Sequence, residues 1–379
     1  MSRLHFALMS LVLGLTAQPL FATTYYVAPP LANPCTSAKG GFEVFPSIQY
    51  AVTHVPEGST INICPGTYYE QVTISQPLTL QGISGNNNSS QVIIAMPPDG
   101  LTTTSSLKFG TIAAQVEVTK GPVNITGVTV DGTASSSNCP NGFYVGIFYS
   151  GDTNADASGA SGVVNGVETR YQSCGSADWG LGILAEYGEQ GDGKKSFTIE
   201  NSNIHDQTNS GIFAYGSGLI VSIKNNNVAS TTPNSEATGI VVLGTTGSVS
   251  NNNVDSFQTG VYVDAEVDVS DNTVGNSSLD GIDVFEAGAT VTSNRIWNSS
   301  RQGIGLSTGG ATIKNNIINS TFIPNNPFLY PIGIEFGCNT NTVSENIING
   351  AYTGIDSVPA AFNGVNTFYN VPTVRTGGC

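Results

Sequence analysis

The sequence predicts an all-β solenoid built from short stacked strands. Four consecutive segments between Gly239 and Ile318 share one plan: GIVVLGTTGSVSNNNV, GVYVDAEVDVSDNTV, GIDVFEAGATVTSNRI and GIGLSTGGATIKNNII. Their leading glycines, Gly239, Gly260, Gly281 and Gly303, recur every 21, 21 and 22 residues, a period that belongs to stacked repeat units. Apolar residues alternate within each unit, which is the strand period and not the helical one. An asparagine also returns to one place in six rungs: Asn226, Asn252, Asn272, Asn294, Asn316 and Asn346. Asn tolerates a left-handed backbone and can bond to its copy above and below, so an internal ladder closing a turn is expected. No single unit buries a core, so stacking at about 4.8 Å must build one from Ile, Val and Leu.

Residues 1–22 read as a secretory signal. Arg3 supplies the positive start, Leu8 to Leu15 the apolar centre, and Leu20-Phe21-Ala22 the cleavage site. That apolar run is too short to span a bilayer, so no membrane insertion is expected. The expected location is secreted, either extracellular or periplasmic. The only charged residue in the signal is Arg3, so the remainder carries 11 Lys and Arg against 27 Asp and Glu, a net charge of −16. Such a chain repels polyanions, and nucleic acid is not expected as a partner. An acidic polysaccharide would need a bridging cation, for which calcium is the candidate; no cofactor is otherwise required. A neutral glycan meets no such barrier.

Residues 46–55, PSIQYAVTHV, form the one expected helix. Ile48, Ala51, Val52 and Val55 share a face, and Pro46 suits a first turn. The open end of a solenoid has to be covered, so this helix is read as the N-terminal cap. Alternating pairs follow: Ile61 and Ile63, Val72 and Ile74, Leu78 and Leu80, then Val92 to Ile94, all assigned to the first turn. The next rung takes Val116–Val118, Val123–Ile125 and Val128–Val130. A third begins at Gly142, with Phe143, Val145 and Ile147 expected inward and Tyr144 and Phe148 outward. From Gly182 the leading glycines are Gly211, Gly239, Gly260, Gly281, Gly303, Gly333 and Gly354, with insertions at 188–195, 230–237 and 322–330. The tail from Phe368 to Cys379 departs from the pattern and is read as a C-terminal cap. No linker divides the chain, so residues 23–379 form one domain: cap 23–58, rungs over about 59–367, cap 368–379.

PSIQYAVTHVPEGSTINICPGTYYEQVTISQPLTLQG resembles the opening of secreted bacterial right-handed parallel β-helix proteins. The GI-x-V and S-x-N-x-[IV] rungs resemble repeats of the same pectin-lyase-like superfamily. Together they cover about residues 23–379. The resemblance implies a right-handed single-stranded parallel β-helix with a short N-terminal capping helix. It implies no one reaction, because the superfamily holds polysaccharide lyases, glycoside hydrolases, esterases, epimerases, phage tailspikes and adhesins. Gly66-Thr67-Tyr68-Tyr69-Glu70 resembles an early pectinesterase pattern, yet the later QDTL and DFIFG motifs do not occur. The polygalacturonase Asp-Asp and Gly-His-Gly, the epimerase Asp-Pro-His-Asp and the pectate lyase Arg-x-Pro-x-x-Arg are likewise missing.

Alternation after each leading glycine assigns outward columns. One is Leu184, Phe213, Val241, Tyr262, Asp283, Gly305, Glu335 and Asp356; the other is Glu186, Tyr215, Leu243, Asp264, Phe285, Ser307, Gly337 and Val358. Phe213, Tyr215, Tyr262 and Phe285 are candidate platforms for sugar rings, with Glu335 and Asp356 as hydrogen-bonding partners. Asp264 and Asp283 are the candidate catalytic pair. Their backbones are expected roughly 8 Å apart, which suits an inverting glycosidase. Glu335 and Asp356 are expected on adjacent rungs, about 5 Å apart. His205-Asp206 reads as a surface turn, and Arg295 and Arg301 as basic groups that need not converge. Three function classes follow: a secreted or surface β-helix binding a neutral or weakly charged polysaccharide, a polysaccharide lyase or hydrolase with an unrecognised site, and an adhesin or structural protein. The sequence has no heptads and fixes no oligomeric state.

Six cysteines in a secreted chain point to disulfides, and six allow 15 pairings. Contacts in a solenoid run between neighbouring rungs, which favours Cys35–Cys64, Cys139–Cys174 and Cys338–Cys379. Non-reducing peptide mapping is expected to recover these three pairs, and free thiols throughout would contradict them.

Overall fold

The computed structural model describes residues 23–29, 44–83, 91–133, 142–151, 159–173, 179–188, 194–231, 236–286, 288–320, 330–337, 340–359 and 364–377. The expected signal at 1–22 and most of the three insertions lie outside these residues. So do all the cysteines except Cys64, which is disulfide-bonded, and with them the expected pairings.

The described chain is a parallel β-helix. Its strands form a 24-stranded sheet, which carries two faces of the solenoid, and a 12-stranded sheet, which is the third. Every rung adds one strand to each face, in register with the rung before. On the first face Ser210–Tyr215, Thr238–Ser250, Thr259–Ser270, Asp280–Val284, Gln302–Leu306, Ile332–Glu335 and Thr353–Val358 pair in succession. The interior is one continuous apolar column running from Val27 to Ile355.

The leading glycines mark the corner where the third face meets the first. A Cβ at Gly281 would stand 2.6 Å from the Gly303 carbonyl oxygen and 2.5 Å from Ile296 Cγ2, so no side chain fits there. The corner also breaks the two-residue alternation. In the third rung Gly146 takes the bend, and Val145 falls outside with Phe148 while Ile147 and Tyr149 point in. The expected inward Phe143 and Val145 are therefore on the outer side. Tyr144, expected outward, is buried with its hydroxyl donating to Gln115 Oε1 at 2.9 Å.

The asparagine ladder closes the turn between the second and third faces. Each Oδ1 accepts from the backbone N–H and the Nδ2 of the preceding ladder residue, as Asn272 does from Asn252 at 2.9 Å for both. Each Nδ2 also donates to a carbonyl oxygen at the end of the second-face strand in the rung before, for Asn272 that of Val249 at 2.8 Å. The left-handed residue is not the ladder Asn but the one before it: Asn225, Asn251, Asp271, Ser293, Asn315 and Glu345. The ladder also runs one rung further than expected, to Asn366.

Both ends depart slightly from expectation. The helix spans Ile48–His54, with the Ser47 hydroxyl accepting from the Tyr50 N–H as N-cap, so Pro46 precedes the cap instead of sitting in the first turn. Ile48, Ala51, Val52 and Val55 are buried as expected. The Glu70 carboxylate accepts from the Ile48 and Gln49 N–H groups at 2.9 and 2.8 Å, which gives Gly66–Glu70 a structural role at the helix N-terminus. Ile61 stands opposite Leu80, so the two strands assigned to one turn belong to adjacent rungs. The tail continues the pattern: Thr367–Tyr369 and Thr373–Gly377 pair with the rung before. Nothing among the described residues stacks on this last rung, so Tyr369 and Val374 stay exposed.

Asn272→Leu would leave the Asn252 N–H and one of its two amide hydrogens unpartnered and would remove the amide donor to the Val249 carbonyl. A loss of about 2–4 kcal/mol is expected, since each buried orphan costs roughly 1–3 kcal/mol. Urea unfolding of variant and parent measures it, and an unchanged midpoint would contradict the role given to the ladder.

Candidate functional site

The register places the expected outward columns as read. Tyr262 stands opposite Val241 and Asp283, Asp283 opposite Gly305, and Glu335 opposite Gly305 and Asp356. Asp264 lies opposite Leu243 in the neighbouring column. Tyr262 and Phe285 stack on each other, with centroids 5.0 Å apart and planes at 28°. Phe285 is 38% exposed.

The N-terminal part of the strip is covered. Thr104–Ser106 runs antiparallel to the start of Gly110–Val118, and this short strap folds over the first face. Phe213 is 6% exposed beneath Phe109, whose ring meets it edge-on at 4.9 Å. It belongs to a second apolar cluster with Phe148, Leu184 and Val241, so it offers no platform to a ligand. Tyr215 is half-buried, with the Lys108 ammonium 5.3 Å above its ring. Glu186, expected outward, is buried as an anchor: its carboxylate accepts from the Ser106 hydroxyl at 2.6 Å and the Leu107 and Lys108 N–H groups at 2.8 and 3.1 Å.

The bend at the leading glycines adds a third outward column, one residue before each glycine. Thr259, Asp280 and Gln302 stand in it, each opposite the next. Asp280 is 1% exposed, and both its oxygens accept from the Arg301 guanidinium, Nε donating at 2.8 Å. Gln302 Nε2 donates to Glu335 Oε2. These three residues were missed because strict alternation hides them. The signal was the run of polar residues just before successive glycines: Ser210, Thr238, Thr259, Asp280 and Gln302. Arg295 lies on the third face, opposite Thr273, so the two arginines do not converge.

Gly305 brings no side chain of its own to the column, and the Gln302 side chain lies over it, so the position is buried. A Cβ there would run into Gln302 Oε1 and come within 3.0 Å of Asp283 Oδ1. Asp283 and Glu335 flank Gly305 from the rungs on either side. Burial pushes the Asp283 carboxyl up to about 7, with repulsion from Asp280 and Glu335 adding to it; Arg301 and the Val284 N–H act in the other direction. Tyr262 is raised by burial and then by Asp264 and Asp283. Asp356 is engaged by the last rung, accepting from the Thr376 and Ser357 hydroxyls. Among the described residues no group of three or more His, Cys, Asp or Glu side chains is arranged to hold a metal ion.

His205-Asp206 lies elsewhere, on the third face. A left-handed backbone at Asp206 folds its carboxylate back to the ring, 2.7 Å from His205 Nδ1, while Nε2 stands 3.0 Å from Glu168. Burial raises Glu168 and Asp206, but hydrogen bonds from His205 and neighbouring hydroxyls outweigh it and hold both below the ordinary range. Arg170 pairs with Asp131 at 2.8 Å and also reaches Glu168. The network bonds internally, and Glu168 also lines a cavity of about 430 Å³ with Gln91, Thr129, Asn201 and Asn203.

The family described as "Right handed beta helix region" matches residues 238–373. The fold is a right-handed parallel β-helix. No curated protein matches the chain. Among solved structures, the β-helix is similar to the A-module of a mannuronan C-5 epimerase from Azotobacter vinelandii, at 14% identity and TM-score 0.45, covering 86% of this chain and 90% of that one. A lacto-N-biosidase from Eubacterium ramulus gives 9% identity and TM-score 0.49, covering 86% of this chain and 67% of that one. Pectate lyase Pel9A gives 16% and 0.43, covering 86% and 78%. Likeness at this level is one of fold alone. No helix among the described residues is long and apolar enough to cross a membrane.

Asp283 provides a test of the site's electrostatics. Its folded pKa lies above the ordinary carboxyl value of about 3.9, so the stability tied to its neutral form is full below that value and lost as pH rises through about 7. Asp283→Asn, which stays neutral, should melt above the parent at pH 8 and close to it at pH 4. Parallel melting curves from pH 4 to 8 would contradict the assignment.

Proposed function

We propose that the open part of the first face binds a polysaccharide, neutral or weakly charged. The observation carrying this reading is the stacked Tyr262–Phe285 pair beside the carboxylates of Asp264, Asp283 and Glu335, on the stretch of the face that the strap leaves uncovered. Sugar rings offer apolar C–H faces to aromatic rings and hydroxyl donors to carboxylates. Phe213 is excluded from the surface, Tyr215 borders it, and Asp356 is committed to the last rung. A polyuronate would bind only with calcium bridging the like charges.

A second reading is hydrolysis, favoured by the raised Asp283. A carboxyl that holds its proton near neutral pH can serve as general acid, with a carboxylate on the strip as its counterpart, Asp264 on the neighbouring rung or Glu335 on the far side of Gly305.

Calorimetry and reducing-end release over cellulose, xylan, mannan, starch and pectin, with and without calcium, test both. Tyr262→Ala is expected to weaken binding by about 1–2 kcal/mol through the lost ring surface. Asp283→Asn should keep most affinity in a binding protein, and should abolish turnover without abolishing binding in a hydrolase. Binding to none of these glycans, or an inert Tyr262→Ala, would overturn the binding reading.

A further inference from the structure

We infer that this surface reads the end of a glycan chain and not its interior; the inference rests on the binding reading above. The strip beyond the strap runs along the solenoid axis through Tyr262, Asp283, Gly305 with Gln302 over it, Glu335 and Asp356. Four steps of about 4.8 Å make it roughly 19 Å long. At its N-terminal end stands the strap. Phe109 is wedged between Phe143, at 4.3 Å, and Phe213, at 4.9 Å, and the strap therefore rises above the strip as a wall. The wall is fixed in place. The Glu186 carboxylate takes three hydrogen bonds from its tip, and the Glu117 carboxylate takes one from the Thr104 hydroxyl at 2.8 Å.

A chain bound through its interior has to leave the surface in both directions. A chain lying on Tyr262 and Phe285 and running along the axis meets Tyr215, Lys108 and Phe109 instead of open solvent on one side. The wall ends in a group suited to a terminus: the Lys108 ammonium, over the Tyr215 ring, carries hydrogen-bond donors for terminal hydroxyls. The strip thus accepts one end of the polymer against the strap, while the rest of the chain departs past Glu335.

The decisive measurement is stoichiometry. Soluble xylan and mannan, and size-fractionated oligomers prepared from each, are titrated calorimetrically into the full-length protein. End recognition gives one protein per chain whatever the chain length, so capacity per mass rises as the polymer is shortened. A number of proteins per chain that grows with length overturns the inference and leaves the binding reading intact. Absence of binding to polymer and oligomer alike overturns both. Lys108→Ala changes an exposed side chain and should preserve melting temperature while weakening oligomer binding about fivefold. Parent-like affinity in that variant would mean that the chain end does not lie at the strap.

Discussion

The stacked asparagine amides set the geometry on which the rest of the solenoid depends. Each rung must turn sharply between its second and third strands, and it does so through a residue in the left-handed region, such as Asp271 or Ser293. That conformation costs an ordinary residue about 1–2 kcal/mol. The buried amide that follows offsets it with hydrogen bonds to its copies in the rungs above and below and to a strand carbonyl of the rung before. Because each amide bonds to its own copy, the turns cannot slip relative to one another. Side chains elsewhere on the rung inherit that alignment, which is why Tyr262, Asp283 and Glu335 lie in one file.

A second constraint divides the first face. The glycine corner places three residues of each rung outside instead of two, which widens the outer strip. Its N-terminal half is apolar and would be exposed, but the strap covers it with Phe109 and is held by two carboxylates that burial raises, Glu186 and Glu117. Its C-terminal half carries the aromatic pair and the acids, and the strap does not reach it. One surface thus serves as packing face and candidate ligand face along its length.

The period and the strand alternation made the solenoid, the ladder and the two outward columns legible. These depend only on residues within a rung and on the rung's copies. What could not be read depended on contacts between distant segments or on the corner. Nothing local marks residues 104–109 as a segment that folds back over Phe213. Thr259, Asp280 and Gln302 escaped because the bend at the glycine shifts the parity on its N-terminal side. Asn366 was concealed by irregular neighbours, although it lies 20 residues after Asn346, close to the period of the rungs.

Parallel in-register stacking has a further consequence for how such a surface can vary. Side chains on the strip are spaced in units of one rung, about 4.8 Å, and no intermediate spacing is open to them. Replacing Gly305 with a larger residue would displace the Gln302 side chain at one graduation of this ruler. Inserting or deleting a whole repeat would move Glu335 relative to Tyr262 by a full graduation while the interior and the ladder closed up unchanged. Change along this face is therefore digital in position and free in chemistry: a rung can be rewritten, added or lost without disturbing the alignment of the others.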